Sequence, residues 1–320
     1  MLNLARRLGA GLEGTMKLVP ISGLLAAMLV PPSFAAPAAA APKVNVVTSF
    51  SILADLVRLV GGERVAVKAF AGPNTDLHVF QPAPGDAKAL LAADLVIVNG
   101  LGLEGWADRL VRASGYKGDL VVATKGIKPL PARDDGHAHG KGKRAERGDP
   151  HAWQDVANVK IYVGNIRDAL IAADAAGRAD YEANAARALA VLDALDAEVK
   201  ATFAAVPPAQ RRVITSHDAF GYYAAAYGIA FLAPQGVSGD SEPTAQGVAS
   251  LIRQIKKEKV KAVFVENISS PRLIERIARE TGAALGGTLY SDALSEPGGP
   301  AGSYLEMIRH NTRLLSAAMK

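Results

Sequence analysis

The chain has 320 residues, 49% of them hydrophobic, and a formal net charge of +5. That length suits two domains, each able to bury a core of its own, and so mild a charge gives no case for a nucleic-acid partner. No residue is cysteine, which excludes disulfides and thiolate metal sites and leaves nothing to carry a thioether-linked lipid.

Arg6, Arg7 and Lys17 precede an apolar run from Leu18 to Val30, followed by Pro31-Pro32 and the small-x-Ala pattern Ser33-Phe34-Ala35. This reads as a secretory signal peptide over residues 1–35, starting at Met1 or at Met16. The run is too short to span a bilayer, which takes about 20 residues. Residues 36–42 form an Ala/Pro tether with no reason to fold. Losing the signal peptide removes three cations and one anion, and the charge falls to +3. The expected mature protein is soluble and periplasmic.

From Lys43 onward, short β-rich runs alternate with amphipathic ones. Strands are predicted over 44–48, 64–70, 94–99 and 120–123, with helices over 52–60, 86–92 and 106–113. A polar, Gly-rich loop follows over 128–149, too long for an ordinary connection. Helices are then expected over 158–173 and 180–206. In the second, Tyr181, Ala185, Leu189, Leu192, Leu195, Val199 and Phe203 recur every three or four residues, while Glu182, Arg187, Asp193, Asp196 and Lys200 fall elsewhere. Pro207-Pro208 stops it. The alternation then resumes, with strands at 212–215, 229–233, 262–266 and 283–290 and helices at 219–227, 244–257, 272–280 and 303–318. The pattern predicts an α/β protein of two lobes. Each lobe has a mostly parallel, roughly four-stranded sheet flanked by helices, and one long rigid helix joins them. The lobes are expected at 43–178 and 207–320, the linker helix at 179–206.

There is no nucleophile elbow, no H-E-x-x-H and no dinucleotide fingerprint at the right spacing. The six histidines are more telling. His78 follows the second predicted strand, His151 the fourth and His217 the fifth, while Asp292 follows the last. All four fall beyond carboxyl ends of strands, where open parallel sheets bind ligands. Three imidazoles and a carboxylate without sulfur suit Zn²⁺, and the carboxylate also admits Mn²⁺. Asp76 and Asp149 each precede a histidine by two residues. They either orient the imidazoles or cap turns. His137 and His139 in the long loop read as a weak metal-capturing tract, and His310 as a solvated or packed residue of the last helix.

Four segments carry a resemblance. Thr75-Asp76-Leu77-His78 with Pro82, Asp149-Pro150-His151-Ala152-Trp153, Thr215-Ser216-His217-Asp218-Ala219-Phe220 and Leu289-Tyr290-Ser291-Asp292-Ala293-Leu294-Ser295 stand in order along the chain. In that order they resemble the four ligand motifs of the zinc/manganese-type (cluster A-I) substrate-binding proteins of metal ABC importers. The resemblance implies a metal held between two lobes by His78, His151, His217 and Asp292. It implies no catalysis, delivery to a membrane permease with its ATPase, and a monomer, with a zinc chaperone as a further partner. In the family, a histidine at the position of His217 leans towards zinc, whereas manganese binders have a glutamate there. Zn²⁺ is therefore the expected cargo. Affinity is expected to fall as pH drops through the histidine range near about 6.5, and the helical linker to permit only a small opening between metal-free and loaded forms.

The alternatives are a manganese or iron(II) importer component, a zinc hydrolase with Glu266 or Glu242 as general base, and a surface protein stabilised by metal.

Overall fold

Apolar runs containing β-branched residues build the strands of the first sheet. In the computed structural model, which describes residues 42–131, 148–236 and 244–320, β1 (Val44–Phe50) lies between β2 (Val65–Ala71) and β3 (Leu95–Val98), and β4 (Leu120–Val122) follows β3. All pairs are parallel, with Val46 opposite both Val67 and Leu95. β3 is Leu-Val-Ile-Val, buried throughout, as a parallel strand covered on both faces requires. The second sheet repeats this order. β5 (Arg212–Ile214) sits between β6 (Ala230–Leu232) and β7 (Ala262–Glu266), and β8 (Ala284–Leu289) lies outside β7. In each sheet the chain leaves the first strand to one side and returns on the other. The crevice between the first and third strands is therefore a topological switch point. No sequence repeat announces this shared topology.

The signal peptide, the tether except its last residue Pro42, the loop histidines His137 and His139, and Glu242 lie outside the described residues. Elsewhere the predicted elements appear with ends shifted by one or two residues. The first lobe contains α1 (Ser51–Gly61), α2 (Pro84–Leu91), α3 (Ala107–Ser114) and α4 (Val156–Ala173). The helix predicted from 158 starts at Val156 because the Asp155 side chain caps it, accepting from Ala157 N–H. The helix predicted from 219 becomes α6 (Gly221–Tyr227), starting two residues later because Asp218-Ala219-Phe220 extends the loop after β5. α7 (Ala245–Glu258) and α8 (Arg272–Thr281) cover one face of the second sheet, and α9 (Tyr304–Met319) ends the chain.

The long helix, α5, runs Arg178–Ala204, 27 residues or roughly 40 Å. It packs on α1 and α4 on one side and on α6 and α9 on the other. It is thus a connector and a packing helix at once. Its buried face is the predicted one with three changes. Ala188 joins it, 1% exposed. Leu189 is only partly buried, and Asp196, expected outside, is 9% exposed. Asp196 tolerates burial because it accepts from Lys200 Nζ at 2.6 Å and Tyr227 Oη at 3.2 Å.

One continuous apolar core runs from β1 through α4 and α5 to α9 and takes in residues of both sheets. A smaller core lies between β5, β7, α7 and α8. The lobes therefore meet over packed hydrocarbon, with the carboxyl ends of both sheets at the junction. Among the described residues no helix is long and apolar enough to cross a membrane.

Candidate metal centre

Every residue of the site follows a strand, and each is fixed locally before it meets the others. After β2, Leu77 is buried and anchors the loop, and Asp76 Oδ1 accepts the His78 N–H at 2.8 Å. Asp76 thus takes the turn-capping role. Asn74 adopts a left-handed φ of 51°, which asparagine tolerates. Its N–H reaches Leu294 O at 3.0 Å, tying this loop to the one that carries Asp292.

Asp149 does both jobs that its position allowed. Its Oδ1 accepts the His151 backbone N–H at 2.9 Å and lies 2.7 Å from ring Nδ1. That contact leaves Nε2 to face inward. Asn99, at the end of β3, donates to Pro150 O at 3.0 Å and takes Tyr162 Oη on its own side-chain oxygen at 2.5 Å. A 3₁₀ turn, Ala152–Gln154, follows. It buries Trp153 against Phe50, ring centroids 4.8 Å apart.

His217 leaves β5 beside the end of β7, at the switch point. Glu266 Oε1 accepts the N–H groups of Ser216 at 2.7 Å and His217 at 2.9 Å, and Oε2 lies 2.6 Å from His217 Nδ1. Under the zinc-hydrolase alternative, Glu266 is a candidate general base. Instead both of its oxygens hold the His217 segment, which leaves none for a substrate proton.

Asp292 follows β8, gripped from two directions. Asn311 of α9 accepts from Tyr290 N–H at 3.0 Å and donates to Tyr290 O at 2.7 Å. Trp153 Nε1 and Gln154 Nε2 both donate to Ser291 O, each at 2.8 Å. The residues around His151 thereby hold the backbone next to Asp292.

These anchors bring the four predicted residues together. One donor atom from each of His78, His151, His217 and Asp292 lies within 4.8 Å of all the others. Asp292 Oδ2 is 3.2 Å from Nε2 of both His78 and His217, and Oδ1 is 3.5 Å from His151 Nε2. His78 Nε2 and His151 Nε2 are 3.2 Å apart. His151, His217 and Asp292 are fully buried, and only the His78 side chain keeps 6% of its surface. Both Asp292 oxygens and His217 Nε2 are buried without a hydrogen-bond partner. Close atoms that do not align with one another point at a common centre, and unpaired buried polar atoms are costly without something there. Among the described residues this is the one group of His, Cys, Asp or Glu that could hold a metal ion.

The charges fit a cation. Burial alone would raise the Asp292 pKa, but His151 and His217 hold it well below the usual carboxylate range. Burial alone would lower His151, but Asp292 and then Asp149 push it up to about 9. His217 is likewise held well above its ordinary value, burial opposing and Glu266 and Asp292 prevailing. Asp76, not itself part of the cluster, is raised by burial and by the nearby Asp292 charge. His310 stands apart as expected, bonded to Thr288 O at 2.9 Å and edge-on to Tyr290. Sequence reasoning missed the roles of Glu266, Asn311, Asn99 and Gln154. Of the supporting residues, Asp76 and Asp149 carried a signal in their spacing to the histidines, and Trp153 in its place in Asp-Pro-His-Ala-Trp.

Comparison with known proteins gives the same picture. A family model described as ZnuA, zinc-uptake complex component A, periplasmic, matches residues 46–318. The chain is 34% identical to the iron-binding protein YfeA of Yersinia pestis over 272 residues, 85% of each chain. It is 33% identical to the manganese-binding lipoprotein MntA of Halalkalibacterium halodurans over 267 residues, 83% of this chain and 85% of that one. Among solved structures, the periplasmic zinc-binding protein TroA of Treponema pallidum superposes with a TM-score of 0.79 at 28% identity, covering 87% of this chain and 99% of that one. A Mn-bound periplasmic metal-binding protein of Candidatus Liberibacter asiaticus superposes at 0.75 with 29% identity, over 87% of this chain and all of that one. With the two repeated sheets, the long connecting helix and a match across nearly all of the described chain, the protein belongs to the ZnuA family, the metal-binding substrate-binding proteins of ABC importers.

Proposed function

We propose that this chain captures Zn²⁺ between its lobes and delivers it to an ABC permease, with His78, His151, His217 and Asp292 as the metal ligands. The observation that carries this reading is the set of buried, unpaired Asp292 oxygens facing three imidazole Nε2 atoms. Three neutral nitrogens and one carboxylate, with no sulfur, suit Zn²⁺. The four ligands leave no evident open position for a reactive water, and Glu266 is engaged, so the site carries its metal without using it. Zn²⁺ is cargo: it displaces protons from His151 and His217 on binding, and it leaves when the ligands part. We further propose that residues 1–35 are removed on export and that the mature chain acts as a soluble periplasmic monomer.

A manganese or iron(II) importer component is the second reading, supported by the relatives named for those ions. Competition dialysis of the purified mature chain against Zn²⁺ and Mn²⁺ decides between them. The wild type is expected to retain Zn²⁺ preferentially, and His217→Glu to shift the balance towards Mn²⁺, because an added carboxylate suits the harder ion. Tighter Mn²⁺ binding by the wild type would overturn the zinc assignment.

A further inference from the structure

Asp149 presents Oδ1 to His151. Its other oxygen is seated on the opposite lobe. A Cβ added to Gly221, the first residue of α6, would lie 2.5 Å from Asp149 Oδ2. Gly221 has no positive φ, so its backbone does not call for glycine; the lack of a side chain is what this contact uses. The neighbouring Tyr222, 4% exposed, donates its hydroxyl to Asp149 O at 2.9 Å and accepts the Leu130 N–H at 3.1 Å. Asp149 N–H in turn donates to Leu130 O at 2.8 Å. Two consecutive residues of the second lobe thus brace the main chain and the carboxylate of one residue of the first.

That carboxylate has little freedom. Its side chain is 5% exposed, and Oδ1 is committed to two contacts at 2.7 and 2.9 Å. A methyl group at position 221 can be accommodated only if the carboxylate turns, which draws Oδ1 away from the His151 ring. Among the described residues Asp149 Oδ1 is the contact that Nδ1 makes, so the ring loses what sets its direction.

We infer, on the reading of the cluster as a metal site, that Gly221 and Tyr222 are positioning residues for His151 and that this ligand is aimed only while the two lobes are together. The first lobe supplies the imidazole and the second lobe sets its orientation through Asp149. A partner that separated the lobes would loosen His151 without touching it.

The test is Zn²⁺ affinity of the full mature chain, measured by competition with a chromophoric chelator at neutral pH. It compares wild type, Gly221→Ala, Asp149→Ala, the double variant, Tyr222→Phe and His151→Ala, with thermal melts of each metal-free protein. Gly221→Ala and Asp149→Ala are each expected to weaken Zn²⁺ binding about 10- to 100-fold, the usual effect of disturbing a group that orients a metal ligand. The double variant should bind no more weakly than Asp149→Ala, because the added methyl then has no carboxylate to displace. Tyr222→Phe should bind Zn²⁺ more weakly than wild type with its fold retained. If alanine at 221 merely weakened α6, its cost would reappear in the Asp149→Ala background. Wild-type affinity in Gly221→Ala, or a double variant showing the product of the two single losses, would overturn the inference. Undiminished binding by His151→Ala would instead sink the metal-site reading itself.

Discussion

At the scale of single residues the site is one carboxylate among three imidazoles, two of them, His151 and His217, held from behind by Asp149 and Glu266. Without a cation, protons fill the electrostatic demand, and this sets the pH response. His151 is pushed up to about 9, Asp292 and Asp149 outweighing the effect of burial, so a metal ion that takes Nε2 must expel a proton held across the neutral range. Zn²⁺ affinity should therefore keep rising above the ordinary imidazole value of about 6.5, through the range up to about 9 in which His151 holds its proton. This moves the range first expected from the sequence upwards. The sign reverses for the metal-free fold. A histidine whose folded pKa is raised contributes stability that is complete below its unfolded pKa and lost as pH rises through the folded one. The melting temperature of the metal-free protein should thus fall as pH approaches 9 while Zn²⁺ affinity climbs. Chelator competition and thermal melts over the same pH series check both, and an affinity flat above neutral pH contradicts the assignment.

Elements bring the ligands together by gripping backbone rather than side chain. The clearest case is α9, whose Asn311 is fully buried and satisfies both the N–H and the carbonyl of Tyr290, two residues before Asp292. Asn311→Ala leaves two buried backbone groups unpaired, at a cost of roughly 2 kcal/mol. The expected outcome is a lower melting temperature together with weaker Zn²⁺ binding, measured by calorimetry on the same sample. A stability loss with unchanged affinity would show that α9 supports the fold but does not place Asp292. Element identities were readable in the sequence because hydrophobic period and turn residues are local properties. The 3₁₀ turn at Ala152–Gln154 was not readable, since its two donors are satisfied by Ser291 O, more than 130 residues away. Asp196 on α5 was misplaced for the same reason: its partner Tyr227 lies on another helix.

For the whole molecule the decisive feature is the apolar core that passes from one lobe to the other along α5. A wide hinge rotation would expose that core to water, at about 25 cal/mol for each Å² uncovered. The junction is also crossed by hydrogen bonds such as Tyr304 Oη to Trp153 O at 2.8 Å and Tyr304 N–H to Asp55 Oδ2 at 2.8 Å. Solution scattering of the metal-free and Zn²⁺-loaded chain should therefore show only a small change in dimensions. A large lobe rotation between the two states would contradict this account.

The sequence by itself determined the alternation of strands and helices, the long connecting helix and the four residues placed beyond strand ends. Each of these follows from local patterning or from the four motifs standing in order. Only the tertiary structure decided what stands behind those residues. It assigned Asp76 to a turn and Asp149 to both turn and imidazole, withdrew Glu266 from catalysis by binding both of its oxygens, and set Gly221 against Asp149. These are meetings between residues far apart in the chain, and they depend on how two sheets with the same strand order come to face one another. No periodicity or spacing encodes that relation, because it arises from the packing of one shared core.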